Sequence, residues 1–220
     1  MSERKTVVIL GLGIFGSTLA RDLSKYNFDV IAVDRNMPCV ERVAAFVSNA
    51  VCLDFTDIDQ LKAIGAGDAD IGIVTSGSML EEAIMGVLNL KELGVPRIIA
   101  KAKNSKHSEV LKKVGADTTI SPEKEVAKTT AKILVSKDIL ELFDVDSDNT
   151  IFDIKLPSKW DNKSLVELDL RNKLKVNVVG VRRNNKLIVN FDPNEKLHAD
   201  DEILIIGEND LFKKYDELTK

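Results

Sequence analysis

Histidine and cysteine, the residues that most often bear nucleophilic, acid–base and metal chemistry, are scarce here, with two of each in 220 residues. His107 falls early in a predicted helix among Asn104, Ser105, Lys106 and Ser108, and His198 in a polar turn before Asp200 and Asp201; both read as surface residues. Cys39 and Cys52 show neither metal-ligand nor redox spacing, suit a reducing cytosol, and read as small core or near-core residues. No Ser-His-Asp, Cys-His or metal-ligand cluster stands out, which leaves catalysis without visible machinery. Long apolar runs are missing as well, and no window approaches the ~20 residues that span a bilayer. Residues 2–5 are charged or polar and lead straight into a strand, so no signal peptide is expected and the location is expected to be cytoplasmic. An excess of positive charge is also lacking. Thirty-one Lys and Arg against 35 Asp and Glu give a net charge of −4, which argues against a nucleic-acid binder that neutralises phosphates.

What is present is regular alternation. Val/Ile/Leu-rich runs at 6–10, 28–33, 48–53, 70–75, 97–101 and 118–120 alternate with helix-like stretches at 14–26, 37–46, 57–64, 78–92 and 105–114. Apolar runs without strict alternation suit strands buried on both faces. Their succession predicts an α/β fold of right-handed βαβ units around a parallel sheet. Gly65, Gly94 with Pro96, and Gly115-Ala116-Asp117 supply helix stops.

Behind the first strand stand Gly11, Gly13 and Gly16, a G-x-G-x-x-G, and the second strand closes on Asp34. Gly11 permits the tight turn, Gly13 lets the backbone approach a pyrophosphate, and Gly16 lets the helix pack on the sheet. The helix N-terminus then faces the anion, while Asp34 accepts hydrogen bonds from ribose hydroxyls. That order of elements predicts a Rossmann-like nucleotide site. An acid at position 34 disfavours a 2′-phosphate despite the adjacent Arg35, so NADP is not expected. Ligands of open parallel sheets lie across the carboxyl ends of the strands. There the third strand delivers Asp54, Phe55 and Thr56, with an aromatic near an adenine; the fourth delivers Ser76 and Gly77; the fifth delivers Lys101. Plainer readings stand beside these: Asp54 and Thr56 as helix caps, 76–78 as a strand-to-helix turn, Lys101 as a solvated lysine.

Ser121-Pro122-Glu123 is a helix start by composition, with serine as cap, and the helix is expected to reach about Leu140. Val126, Thr130, Ile133 and Leu134 form a stripe that needs covering. Residues 144–150 are polar and acidic and are expected at a domain junction. Beyond them, strands at 151–156, 176–182, 187–189 and 203–206, a turn at Asn184-Asn185, and short helices at 164–170 and 210–218 predict a small α+β module.

Several segments together resemble one family over nearly the whole chain: 11–16, Ala32-Val33-Asp34, Phe55-Thr56-Asp57, 101–104, 114–117, Ser121-Pro122-Glu123, 168–171 and 201–207. They look like the RCK (regulator of conductance of potassium) family, and the whole is similar to cytosolic gating subunits of Ktr/Trk potassium uptake systems. The resemblance implies an RCK N-terminal domain at 1–121, a crossover helix at 122–142 and an RCK C-terminal domain at 143–220. It implies a homodimer that assembles into an octameric ring beneath a membrane pore-forming subunit, reaching the membrane only through that partner. Each N-terminal domain would bind ATP or ADP, or NAD or NADH, through Gly11, Gly13, Ile14, Phe15, Gly16, Asp34, Arg35, Asp54, Phe55, Thr56, Ser76, Gly77 and Lys101. Many Ktr-type members have an arginine on the terminal phosphate of ATP where this chain has Ile14, so discrimination of ATP from ADP is not carried over. Glu123 matches an acid that helps hold a divalent cation, and it also suits a helix N-terminus. The C-terminal domain would bind cyclic di-AMP across its dimer interface through Leu165, Val166, Arg171, Asn172, Asn177, Val178 and Phe191, or these residues form an ordinary dimer interface. Asn172 and Phe191 depart from the usual small residue and proline.

Two rivals remain at this point. A small NAD-dependent oxidoreductase needs a proton donor near the glycine loop. A redox-sensing transcription factor needs a basic winged helix, which neither end of the chain supplies.

Overall fold

The computed structural model describes residues 4–76, 79–135 and 139–209, in two compact units, Met1–Pro122 and Glu123–Lys220. In the first unit the elements run β1 (Thr6–Leu10), α1 (Ile14–Lys25), β2 (Asp29–Asp34), α2 (Met37–Ala44), β3 (Asn49–Cys52) and α3 (Ile58–Ala63). They continue with β4 (Ile71–Val74), α4 (Leu80–Glu92), β5 (Ile98–Lys101), α5 (Ser105–Lys113) and β6 (Thr118–Ile120). All six strands pair in parallel in the order β3-β2-β1-β4-β5-β6. The expected strands and helices lie within two residues of these bounds.

Alternate side chains of the central strands enter opposite cores, as a two-faced parallel sheet requires. Val8, Leu10 and Val33 pack with Leu61, Val87, Leu90 and Leu111 of α3, α4 and α5. Val7, Ile9, Val30 and Ala32 pack with Ala20, Val40 and Val43 of α1 and α2. Both faces of β1 and β2 are therefore dry, and only the strand ends remain to present polar groups. The chain leaves β6 through Ser121, whose hydroxyl donates to the Ala102 carbonyl at 2.7 Å.

The second unit contains α6 (Pro122–Val135), β7 (Ile139–Asp144), β8 (Asn149–Lys155), α7 (Leu165–Leu168), α8 (Leu170–Leu174), β9 (Asn177–Arg183), β10 (Lys186–Ile188) and β11 (Glu202–Glu208). Its sheet is antiparallel in the order β10-β9-β11-β8-β7. One face packs a core of Phe152, Ile154, Trp160, Leu168, Val181, Leu197, Ile203 and Ile205.

Two expectations are corrected here. The helix is described as far as Val135, and Ile139 and Leu140, expected within or at its end, belong to a strand. Ile139 and Leu142 are both buried, and the register shifts between Ile139 and Glu141, so one strand face carries apolar residues three apart. That spacing imitates a helix. The acidic segment, expected at a junction, is the turn of the β7–β8 hairpin inside the second unit. The Asp146 carboxylate accepts the backbone N–H groups of Asp148 (2.8 Å) and Asn149 (2.7 Å). These bonds, with the Asn149 side chain, hold it below the ordinary carboxylate range.

The expected hairpin turn at Asn184-Asn185 is present. Asn184 and Asn185 have φ of 51° and 63°, the left-handed pair that a two-residue hairpin demands between β9 and β10. Ser164 and Glu167 form a reciprocal capping box at α7. The expected single helix breaks at Asp169 (φ 49°), separating α7 from α8. On α6, Ile133 packs against the second core, whereas Val126 and Leu134 are exposed. The expected helix at 210–218 lies outside the described residues. Among the described residues no helix is long and apolar enough to cross a membrane.

Candidate functional site

β1 feeds a turn whose three glycines have three different surroundings. Gly11 has φ of +98°, and a Cβ there would sit 3.0 Å from the Ser76 backbone nitrogen. At Gly16 a Cβ would lie 2.1 Å from the Gly11 carbonyl oxygen and 2.6 Å from Thr75 Oγ1, so only glycine lets α1 approach β1 and β4 this closely. Around Gly13 nothing lies within 4 Å of the Cβ position. The first two glycines hold the turn together; the third leaves its outer side open for another molecule.

Gly13 is the N-cap of α1, with no side-chain cap, and the first turn of the helix has no acid. The leading N–H groups and the positive end of the helix dipole therefore face the open side without a carboxylate to satisfy them. Such an end receives phosphate. Ile14 projects from it and is 88% exposed. Lys101, at the end of β5, sets its ammonium 5.9 Å from the centre of the Phe15 ring, placing a cation beside this turn.

Asp34 closes β2 at the next strand over. Its carboxylate accepts the Leu12 N–H at 2.6 Å and the Asn36 N–H at 2.8 Å, which fixes both the glycine loop and the acid. Arg35 pairs with Glu82 (Nη1 to Oε1, 2.8 Å), and the Ser76 hydroxyl donates to the other oxygen of Glu82 at 2.8 Å. Thr75 donates to the Gly11 carbonyl at 2.6 Å. Gly77 and Ser78 lie outside the described residues.

After β3, Asp54 accepts the hydroxyl of Thr56 (2.7 Å) and its N–H (2.9 Å). Those bonds hold Asp54 below the ordinary carboxylate range against a smaller opposing effect of burial. Capping of α3 falls to Asp57, which accepts from Asp59 and Gln60. Phe55 requires a correction. Its ring is 6% exposed in the core, near the position a Cβ on Gly86 would take, and is not free to stack on an adenine.

Two residues of this region escaped the sequence reading. Asn89, buried on α4, donates to the carbonyls of Phe55 (3.0 Å) and Thr56 (2.9 Å) and so fixes the loop after β3. An asparagine on an apolar helix stripe was the available signal. Glu82 gave no local signal, because its role depends on which strands are neighbours.

In the second unit, α7, α8 and the start of β9 enclose an open cavity of about 350 Å³. Leu165, Val166, Arg171, Asn177 and Val178, all expected there, line it together with Asp169, Leu170 and Val176. Asn172 does not line it; its side-chain amide donates to Asp169 at 2.7 Å. Phe191 does not line it either. Its ring is buried in the second core beneath the Arg183 guanidinium, 5.4 Å away. Glu123 lies in the first turn of α6 beside Glu125. Among the described residues, no group of three or more His, Cys, Asp or Glu is arranged to hold a metal ion.

Residues 7–122 match the TrkA-N domain family and residues 150–220 the TrkA-C domain family. Ktr system potassium uptake protein C of Bacillus subtilis (strain 168) is 34% identical over 204 residues, 93% of this chain and 92% of that protein. Ktr system potassium uptake protein A of the same organism is 28% identical over 97% of this chain and 96% of its own. Among solved structures, the GsuK RCK domain superposes on 99% of this chain with a TM-score of 0.66 at 18% identity, and the match spans 48% of its length. The GsuK channel bound to NAD superposes on all of this chain, 40% of its own, with a TM-score of 0.64 at 18% identity. At these identities the likeness concerns the fold.

Proposed function

The chain belongs to the family of TrkA-N and TrkA-C domain proteins, and from that premise we propose that it is a regulatory subunit of a Ktr/Trk-type potassium uptake system that senses an adenine nucleotide without consuming it. Residues 1–121 form the nucleotide-binding domain. Phosphate rests on the start of α1, the ribose faces Asp34, and Lys101 faces the phosphate side. A single observation bears most of the weight: the turn at 11–16 is closed at Gly11 and Gly16 and open at Gly13, in a chain similar from end to end to Ktr proteins. ATP, ADP, NAD and NADH all present the group this turn accepts, and the GsuK channel, which shares the fold, has been solved with NAD and with ADP.

The cavity on the second unit is the place for cyclic di-AMP, with Arg171 toward phosphate and Leu165, Val166 and Val178 against the bases. Each chain of a homodimer would supply half of that site. Glu123 is retained as a candidate contact to a divalent cation near the nucleotide. The subunit works in the cytoplasm, as an octameric ring docked on a membrane pore-forming protein. Differential affinity of nucleotide for two ring shapes is the switch, as linkage requires.

Titration calorimetry of the purified chain with ADP, ATP, NAD and cyclic di-AMP, paired with light scattering, tests this reading. Saturable binding and an assembly larger than a monomer support it. Heat with none of the four ligands, or turnover of NADH with a substrate, would sustain the oxidoreductase or another reading in its place.

A further inference from the structure

Glu82 occupies a position that the strand order makes important. Arg35 leaves β2 and Ser76 leaves β4, and β1 with its glycine loop lies between those two strands. Glu82, in the first turn of α4, joins both: one oxygen to the Arg35 guanidinium, the other to the Ser76 hydroxyl. The bridge therefore runs across the carboxyl end of β1, where a nucleotide of such a sheet lies. Its acid is largely covered, with 14% of the side chain exposed, whereas Arg35 is 64% exposed. The acid is the covered partner, and the arginine reaches it from the exposed side.

Arg35 is also the cation immediately after the ribose-binding acid, where an arginine commonly accommodates a 2′-phosphate. Held by Glu82, it is turned to a carboxylate of the protein. We infer that Glu82 is a specificity-determining residue of the nucleotide site, which sequesters Arg35 and thereby excludes 2′-phosphorylated nucleotides. The inference rests on the nucleotide-binding reading of the first unit. Asp34 supplies one negative charge against a 2′-phosphate, and Glu82 supplies a second while removing the compensating cation. Specificity then comes from an occupied arginine as much as from a repelling acid.

The test compares NAD with NADP, which differ only in the 2′-phosphate, by titration calorimetry of the full chain and its variants. Wild type prefers NAD. Glu82→Gln, nearly isosteric, frees Arg35 and narrows that preference by at least about tenfold, the scale of one charge-assisted hydrogen bond. Glu82→Asp, which keeps the charge, retains the preference. In the double variant Glu82→Gln/Arg35→Ala the gain for NADP disappears, because the freed cation is gone. An unchanged NAD-to-NADP ratio in Glu82→Gln, or the same narrowing without Arg35, overturns the inference while leaving the site itself standing. Failure of wild type to bind NAD, ADP or ATP overturns the reading of the site and this inference with it.

Discussion

The two units of this chain bury polar groups in opposite ways. Among the described residues of the first unit the buried polar side chains are Ser17, Thr75 and Asn89, all neutral, and each tightens a backbone turn or a carbonyl. In the second unit Asp153 and Asp201 are buried as well, and each needs an arginine. Arg182 reaches Asp153 at 2.6 Å, and Arg183 reaches Asp201 at 2.7 Å and also contacts Glu195. The parallel sheet, dry on both faces, gathers its candidate site at the strand ends, from the backbone of the glycine turn and the side chains of Asp34 and Lys101. In the second unit the cavity is built from side chains of α7, α8 and the start of β9, and the antiparallel sheet is stapled by charge. One unit should therefore fail through sterics and the other through protonation.

The largest effect is expected at Gly16. Gly16→Val would drive a side chain into the Gly11 carbonyl and Thr75, costing about 3 kcal/mol or more and abolishing nucleotide binding. Calorimetry should show cyclic di-AMP binding intact in the second unit. Loss of both ligands would erase the distinction between the units.

Next comes the Asp201–Arg183 pair. Burial alone would raise the Asp201 carboxyl, but the Arg183 guanidinium and the His198 N–H outweigh it and hold it below its ordinary value. Arg183 is correspondingly raised. A lowered carboxylate contributes stability above its unfolded value, near 3.8, and loses it as pH falls through the folded one. Melting curves taken from about pH 5 down to about pH 2 should show the second unit failing first. Asp201→Asn should cost roughly 2–3 kcal/mol at pH 7 and flatten that acid dependence. A variant that melts with the wild-type pH profile would break the contrast.

The smallest effect lies at the mouth of the first site. Ile14 is 88% exposed, so Ile14→Arg should leave stability within about 0.5 kcal/mol. It should raise the affinity for ATP relative to ADP several-fold, measured by competition between the two. An unchanged ratio would remove position 14 from the phosphate end of the site.

The sequence disclosed the first unit almost completely because its signals are local. Apolar runs, glycine stops and a G-x-G-x-x-G each act within a few residues, and Asp34 follows at the end of the next strand. Phe55 was misassigned because a residue at a strand end can point into the core or the cleft, and the sequence pattern does not choose. Glu82 was invisible because its meaning depends on β2 and β4 flanking β1. In the second unit the bulge in β7 counterfeited helical spacing, and Phe191 turned inward beneath Arg183. The cavity-lining residues were found through the family resemblance, since nothing in their spacing marks a ligand.

The most direct test of two independent sites crosses two variants with two ligands in one calorimetric series. Asp34→Ala should lose ADP and NAD while binding cyclic di-AMP as wild type does, and Arg171→Ala should do the reverse. If either substitution weakens both ligands equally, the chain does not hold two separate sites.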